Sequence, residues 1–211
     1  DNTITSGKDK GIAINSVKCK MTISGNTIKK CKAYPIYCNP ASTSYAITLK
    51  KNIITGNSKK IDGIRADSGK LILSSNTISS CSRAIILSSK VKGTVYPNTF
   101  KKNTYNNVKV NSSYVKTLTV KSLSGKSKSA KTATLNWKKL SSASGYVVYR
   151  SASKNGSYTK ISTIKKNKTI TYKDSKLKRK STYYYKIVPY TTIGKTTVYG
   201  LDSKIVSIKI K

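Results

Sequence analysis

Histidine is absent from the sequence, and so is glutamate; the six acidic residues are all Asp. Without imidazole there is no Ser-His-Asp or Cys-His triad, and no zinc site that needs a histidine ligand. Any acid–base pair has to be drawn from six carboxylates. No apolar run is long enough for a membrane-spanning helix, and no secretory leader pattern is visible. The chain opens on Asp1, without Met and in the middle of a repeat, which leads us to expect a mature protein or part of a longer one, since a solenoid end is normally capped.

What is abundant is lysine. Lys plus Arg number 42 against the six Asp, a net charge of +36, and only Arg65, Arg83, Arg150 and Arg179 are arginine. Such a charge favours polyanions by long-range attraction and counterion release. The partner would be an acidic polysaccharide, an anionic cell-wall polymer or, from charge alone, nucleic acid. The alternative is that lysine, spread along the whole 211 residues, is simply the solubilising residue of this protein. We expect a monomer.

A short phrase recurs in the first half: Asn2-Thr3-Ile4, Asn26-Thr27-Ile28, Asn52-Ile53-Ile54, Asn76-Thr77-Ile78 and Asn98-Thr99-Phe100. Aligned on the Asn, Ile23, Leu49, Leu73 and Val95 stand three residues before it; Met21, Ile47, Leu71 and Gly93 stand five before. Alternation with period two on both sides of a fixed Asn predicts two short strands joined by a bend. We place Asn at the bend because it tolerates left-handed backbone and its amide can bond the equivalent Asn of the next coil. A third strand lies between phrases, with Ile12, Ile36, Ile64 and Ile85 aligned. Three strands per turn make a triangular parallel coil, about five coils over residues 1 to 113.

Gly11-Ile12-Ala13-Ile14 followed by Met21-Thr22-Ile23-Ser24-Gly25-Asn26-Thr27-Ile28 resembles the right-handed parallel β-helix repeat of pectin-lyase-like proteins. In those enzymes the substrate lies along the strand that matches Gly-Ile-x-Ile. The resemblance therefore puts Ala13, Tyr37, Arg65 and Ile86 on the outward, substrate-facing side, with Asp62 and Asp67 flanking Arg65. Under a lyase reading Arg65 would take a proton and the two Asp would hold calcium; under a hydrolase reading Asp62-Gly63-Ile64 matches the family's Asp-Gly-Ile, but its second Asp pair and its His are missing. Otherwise no cofactor or metal is expected. The plainer alternative is that Asp62 and Asp67 pair with Arg65, Lys59 or Lys60 at the surface, which contributes little. Tyr37 and Arg65, neighbours about 5 Å apart, also suit a sugar-stacking groove, and Tyr34 and Tyr45 lie close in sequence.

Cysteine tests the register. Cys31 and Cys81 each fall five residues after their Asn, with Asn57 between them, so they would stand roughly 10 Å apart, beyond disulfide reach. We expect the four cysteines to be mostly buried small hydrophobes, with a Cys19–Cys38 bridge as the alternative.

From residue 114 the pattern changes. The ladder fades, Val108 to Ser113 reads as a short polar link, and eight short strand-like runs follow: 118–120, 133–137, 146–150, 158–164, 169–172, 183–190, 196–199 and 205–210. These predict an antiparallel sandwich over 114–211. Leu177, six residues before Tyr183 at the head of Tyr183-Tyr184-Tyr185-Lys186-Ile187-Val188, is similar to the tyrosine corner of a fibronectin type III domain. Trp137 is then a core aromatic, Tyr183, Tyr185 and Ile187 face inward, and Tyr184, Lys186 and Val188 face outward. Lys173, Lys176, Lys178, Arg179 and Lys180 cluster before that corner, with Lys165, Lys166 and Lys168 upstream, a basic rim for an anionic polymer or a solvated loop face.

A β-helix joined to a fibronectin type III module is similar to parts of large secreted or surface proteins of Gram-positive bacteria. That resemblance implies an extracellular, secreted or wall-associated segment without catalysis, with a polysaccharide lyase or glycoside hydrolase as the alternative.

Overall fold

A computed structural model describes residues 2–5, 9–16, 19–57 and 60–211. Asp1 and Lys59, which entered the expectations above, lie outside the described residues. The described residues are all β, and they form two compact units: residues 1–116 with 192–198, and residues 117–191 with 199–211.

The first unit is the parallel β-helix. One sheet stacks Thr3–Thr5, Thr27–Lys29, Ile53–Thr55, Thr77–Ser79 and Thr99–Lys101 in parallel. A second stacks Ile12–Asn15, Ile36–Asn39, Ile64–Ala66, Arg83–Leu87 and Tyr105–Val110. A third stacks Met21–Ser24, Ala46–Lys50, Lys70–Ser74 and Lys92–Val95. The coil count is therefore four full three-strand turns with one extra strand at each end, slightly fewer than the five Asn phrases suggest. Residues 192–198 join this unit through Thr197 and Val198, which pair in parallel with Thr94 and Val95.

The aligned apolar positions all point inward. Ile28, Ile54 and Ile78 from the first sheet, Ile36, Ile64 and Ile85 from the second, and Leu49, Leu71 and Leu73 from the third are fully buried. Each such side chain contributes about 1.5–3 kcal/mol by leaving water. Burial excludes a one-residue slip, which would turn every inward side chain out; the Asn residues also exclude a two-residue slip, which would keep alternate positions inside. The Asn26 backbone N–H donates to Asn52 Oδ1 at 3.1 Å, Asn52 N–H to Asn76 Oδ1 at 3.0 Å, and Asn76 N–H to Asn98 Oδ1 at 2.9 Å. The side-chain amides make the parallel contact, Asn52 Nδ2 donating to Asn76 Oδ1 at 2.9 Å and also to the Ile23 carbonyl at 3.0 Å.

One expectation about this bend is corrected. The left-handed residue is not the Asn but its predecessor, Gly25 (φ 72°), Lys51 (φ 56°) and Ser75 (φ 55°). The reason is burial: the Asn side chain is fully consumed by the ladder, so the turn itself falls to the residue before it, which is exposed or half-exposed.

Two further readings change. Val108–Ser113 is not a polar link: Val108 and Val110 are buried in the last parallel strand, Asn111 (φ 51°) reverses the chain, and Ser113–Val115 returns antiparallel with Lys109 opposite Tyr114. None of the four cysteines forms a disulfide; Cys31, Cys38 and Cys81 are buried as expected, whereas Cys19 is exposed and does not bridge to buried Cys38.

The second unit is the antiparallel sandwich expected of a fibronectin type III domain. Ser124–Lys126, Ala133–Asn136 and Thr171–Asp174 make one sheet. Thr159–Ile164, Gly145–Ser151, Thr182–Ile193 and Val206–Lys209 make the other. Trp137 and Tyr146 meet edge to face with ring centroids 5.3 Å apart in the shared core. The tyrosine corner is present: Leu177 is buried, and the Lys178 N–H donates to the Tyr183 hydroxyl at 3.2 Å. Residues 118–120 make only an isolated bridge at Thr119, and Val188, expected outside, is buried. Inside, Asp174 accepts from Arg150 Nη1 at 3.0 Å and from the Tyr185 hydroxyl at 2.9 Å. Burial, then this carboxylate, push the Tyr185 phenol far above its usual range, so it remains a donor.

Asn52→Ala should lower the stability of the first unit by about 2–4 kcal/mol, because it orphans buried donors on Asn26 and removes two amide bonds at once. Thermal and urea unfolding followed by circular dichroism check this, and a loss below about 0.5 kcal/mol would mean that the ladder does not hold the coils.

Candidate functional site

The outer face of the second sheet carries one continuous row. Register places Ala13, Tyr37, Arg65, Ile86, Lys109 and Tyr114 side by side on six neighbouring strands. Period-two alternation explains why: with Ile36, Cys38, Ile64, Ala66, Ile85 and Leu87 turned inward, the residues between them must point out. From Tyr37 to Tyr114 the row runs about 19 Å at the usual strand spacing.

Rings and cations alternate along and beside it. Tyr34 and Tyr37 stack with centroids 5.9 Å apart and planes 22° from parallel. Lys10 Nζ stands 5.5 Å from the Tyr37 ring centre, and the Arg65 guanidinium 5.2 Å from that of Tyr34. At the other end Arg83 lies 5.3 Å from the Tyr105 ring, Lys109 5.5 Å from the Tyr114 ring, and Tyr105 and Tyr114 are 6.0 Å apart. Tyr105 and Tyr114 are among the most exposed large side chains, at 45% and 48%.

Two acids lock the row. Asp67 accepts from the Tyr37 hydroxyl at 2.9 Å and from Arg65 Nε at 3.1 Å, and Arg65 Nη1 donates to the Tyr34 hydroxyl at 3.1 Å. Burial pulls the Arg65 guanidinium down, but the charge and hydrogen bonds of Asp67 and Tyr34 outweigh it and hold the group above its ordinary value. Arg65 is thereby kept a cation. Asp62 takes a different partner: it is 8% exposed, accepts from the Arg83 N–H at 3.3 Å, and has the Arg83 guanidinium 3.8 Å away. Burial raises its pKa, with Arg83 opposing. The glycine that follows it answers to packing, because a Cβ on Gly63 would come within 2.5 Å of Ile78 Cγ2 and 2.8 Å of the Ala84 carbonyl oxygen.

The structure thus brings together Tyr34, Tyr37, Arg65 and Asp67, places Asp62 on Arg83 instead, and leaves Tyr45 apart, exposed at the head of a strand in the third sheet. Sequence reasoning missed Lys10, Arg83, Tyr105, Lys109 and Tyr114. The alternation Val108-Lys109-Val110 was the signal for the last strand, hidden because no Asn phrase follows it. In the second unit Lys173 lies on the strand Thr171–Asp174 opposite Thr134, while Lys176, Lys178 and Arg179 line a concavity with Lys131. Lys180 stands beside it, its N–H bonded to the Ile210 carbonyl. Lys165, Lys166 and Lys168 are exposed but do not line it.

Compared with known proteins, residues 1–128 match the model of the family described as periplasmic copper-binding protein (NosD), so the chain belongs to that family. No curated protein matches. Among solved structures, an Fn3-like protein from Clostridium thermocellum is 29% identical, covering 43% of this chain and 88% of its own, with a TM-score of 0.37. The FN1–FN3 domains of chicken CNTN1 are 17% identical over 49% of this chain and 35% of theirs, with a TM-score of 0.40. A beta-1,2-glucanase from Parabacteroides distasonis is 19% identical over 48% of this chain and 14% of its own, also at 0.40.

The donors available here do not suit copper. The sequence has no His and a single Met, and among the described residues no three of His, Cys, Asp and Glu come together. Cys38 and Cys81 are sealed in the core, where burial pushes their thiols up to about 12. Copper favours thiolate, thioether and imidazole ligands; imidazole is lacking, and the Cys38 and Cys81 thiols stay protonated.

The raised pKa of Asp62 has a definite sign. The protonated form is favoured in the fold, so Asp62 contributes stability below its unfolded value of about 3.9, and that contribution is lost as pH rises through the raised folded value. Asp62→Asn, which keeps the acceptor for the Arg83 N–H, should be as stable as the parent or more so at pH 7, with the difference closing below about pH 4. Urea unfolding at both pH values checks it; a large loss at pH 7 would show that the Arg83 ion pair dominates.

Proposed function

We propose that this chain is a non-catalytic module of the cell envelope whose β-helix face binds an acidic polysaccharide. The observation that supports it is the row of alternating rings and cations from Tyr34 and Tyr37 to Lys109 and Tyr114 on one outer face. Flat rings offer apolar faces to sugar rings, and adjacent cations meet carboxylates spaced along the polymer. The length of the row suits an oligosaccharide lying across successive coils. A location outside the cytoplasm is in keeping with the family's description as periplasmic. The copper in that description is not carried over to this chain, whose donors do not suit it.

A polysaccharide lyase or hydrolase is the second reading, and the same geometry weighs against it. A base must shed its proton, whereas Asp67 holds Arg65 as a cation. Asp62 and Asp67 serve Arg83 and the Tyr37–Arg65 pair respectively, which disfavours their holding calcium.

Polygalacturonate should bind the chain at moderate salt, and neutral dextran should not. Tyr105→Ala/Tyr114→Ala, both exposed and remote from the core, should weaken binding by about tenfold, equivalent to ~1.4 kcal/mol, in isothermal titration. Unchanged affinity would remove this face from consideration. Incubation with polygalacturonate and calcium should give no absorbance rise at 235 nm; appearance of unsaturated product would establish the lyase reading instead.

A further inference from the structure

A second cationic site of different chemistry lies in the sandwich unit. Lys131, Lys176, Lys178 and Arg179 line an open concavity of about 630 Å³ whose remaining wall is the side of Leu177. Two turns are tied together to form it. The Leu177 N–H donates to the Lys131 carbonyl at 3.0 Å, and the Lys178 N–H is held by the Tyr183 hydroxyl at 3.2 Å. Leu177 itself is buried in the sandwich core, so the floor of the concavity is anchored.

Two features set this cluster apart from a solvated loop. First, the carboxylate side chains among the described residues are spent elsewhere: Asp9, Asp62, Asp67, Asp174 and Asp202 are engaged by Lys10, Arg83, Arg65, Arg150 and Lys186. None of the four cations takes part in these ion pairs, and Lys211, which reaches this wall, accepts from the Lys131 backbone N–H at 3.4 Å. Second, no ring lines the concavity. It offers charge without a stacking surface, the reverse of the β-helix face.

We infer that this concavity binds a phosphate-rich polymer, a chain of closely spaced phosphodiester or phosphoanhydride groups, through its charge density alone. Ammonium groups act as compact point charges that suit tetrahedral phosphate from any direction, and the Arg179 fork adds paired N–H donors. A uronate polymer presents one charge per sugar ring and needs the ring contacts that this site lacks. The inference is independent of the polysaccharide-binding face, which lies on other residues.

The test is titration of the whole chain with short-chain inorganic polyphosphate at several NaCl concentrations. The site variant is Lys176→Asn/Lys178→Gln/Arg179→Gln, in which Asn tolerates the left-handed backbone at Lys176. A charge-matched control, Lys138→Gln/Lys139→Gln/Lys165→Gln, removes three exposed lysines elsewhere in the same unit. Circular dichroism confirms folding of both. The site variant should lose more than tenfold in affinity with its salt slope reduced by about two to three, while the control changes less than threefold. Equal losses in both variants would reduce the effect to net charge and overturn the site. So would a parent that fails to bind polyphosphate, or a site variant that loses polygalacturonate as strongly as polyphosphate.

Discussion

The asparagine ladder is the interaction on which the rest of the first unit depends. Stacked isoleucines and leucines supply most of the driving force, but they are interchangeable from coil to coil and would accept a register shifted by two residues. An amide that must satisfy one backbone N–H and one side-chain N–H of its neighbour accepts only one. Because Asn52 and Asn76 are fully buried, leaving either amide unpaired carries the whole desolvation cost of the group. A one-residue slip would also turn every inward side chain out. The outer row of rings and cations is therefore as regular as the ladder behind it.

Charge is the second constraint. With 42 cations and six carboxylates, most lysines have nothing within the chain to pair with. The carboxylates among the described residues are placed where they hold a geometry: Asp67 orients Tyr37 and Arg65, Asp62 meets Arg83, and buried Asp174 joins Arg150 to Tyr185. Exposed ion pairs such as Lys10–Asp9 contribute little to stability. The surplus of positive charge then faces outward, and it takes two forms. On the β-helix it is interleaved with tyrosine; in the concavity beside the tyrosine corner it is bare. The same net charge thus presents two chemically distinct surfaces.

Much of this could be read from the residues. The repeat spacing and the alternation around each Asn located all three sheets, and they identified Tyr37 and Arg65 as outward neighbours. Leu177 and Tyr183 marked the sandwich. Other features were hidden for physical reasons. The last parallel strand has no Asn phrase after it, because Asn111 turns the chain back, so Lys109, Tyr105 and Tyr114 looked like linker residues. Asp62 and Asp67 flank Arg65 in sequence, yet the bend at Gly63 separates their partners. Lys131 lies forty-five residues before Lys176, and only the hydrogen bond between their turns brings them to one wall.

By itself, then, the sequence determined which side chains are buried and which strands stack, because period-two alternation and a fixed buried amide are local rules that repeat. It also determined that imidazole chemistry is absent and that the surface is cationic. Tertiary structure decided which partners the few carboxylates would take, since an ion pair depends on distance through space and not along the chain. It likewise decided that Arg65 is a clamped cation, that Cys38 and Cys81 are sealed thiols, and that lysines from separate turns share one concavity.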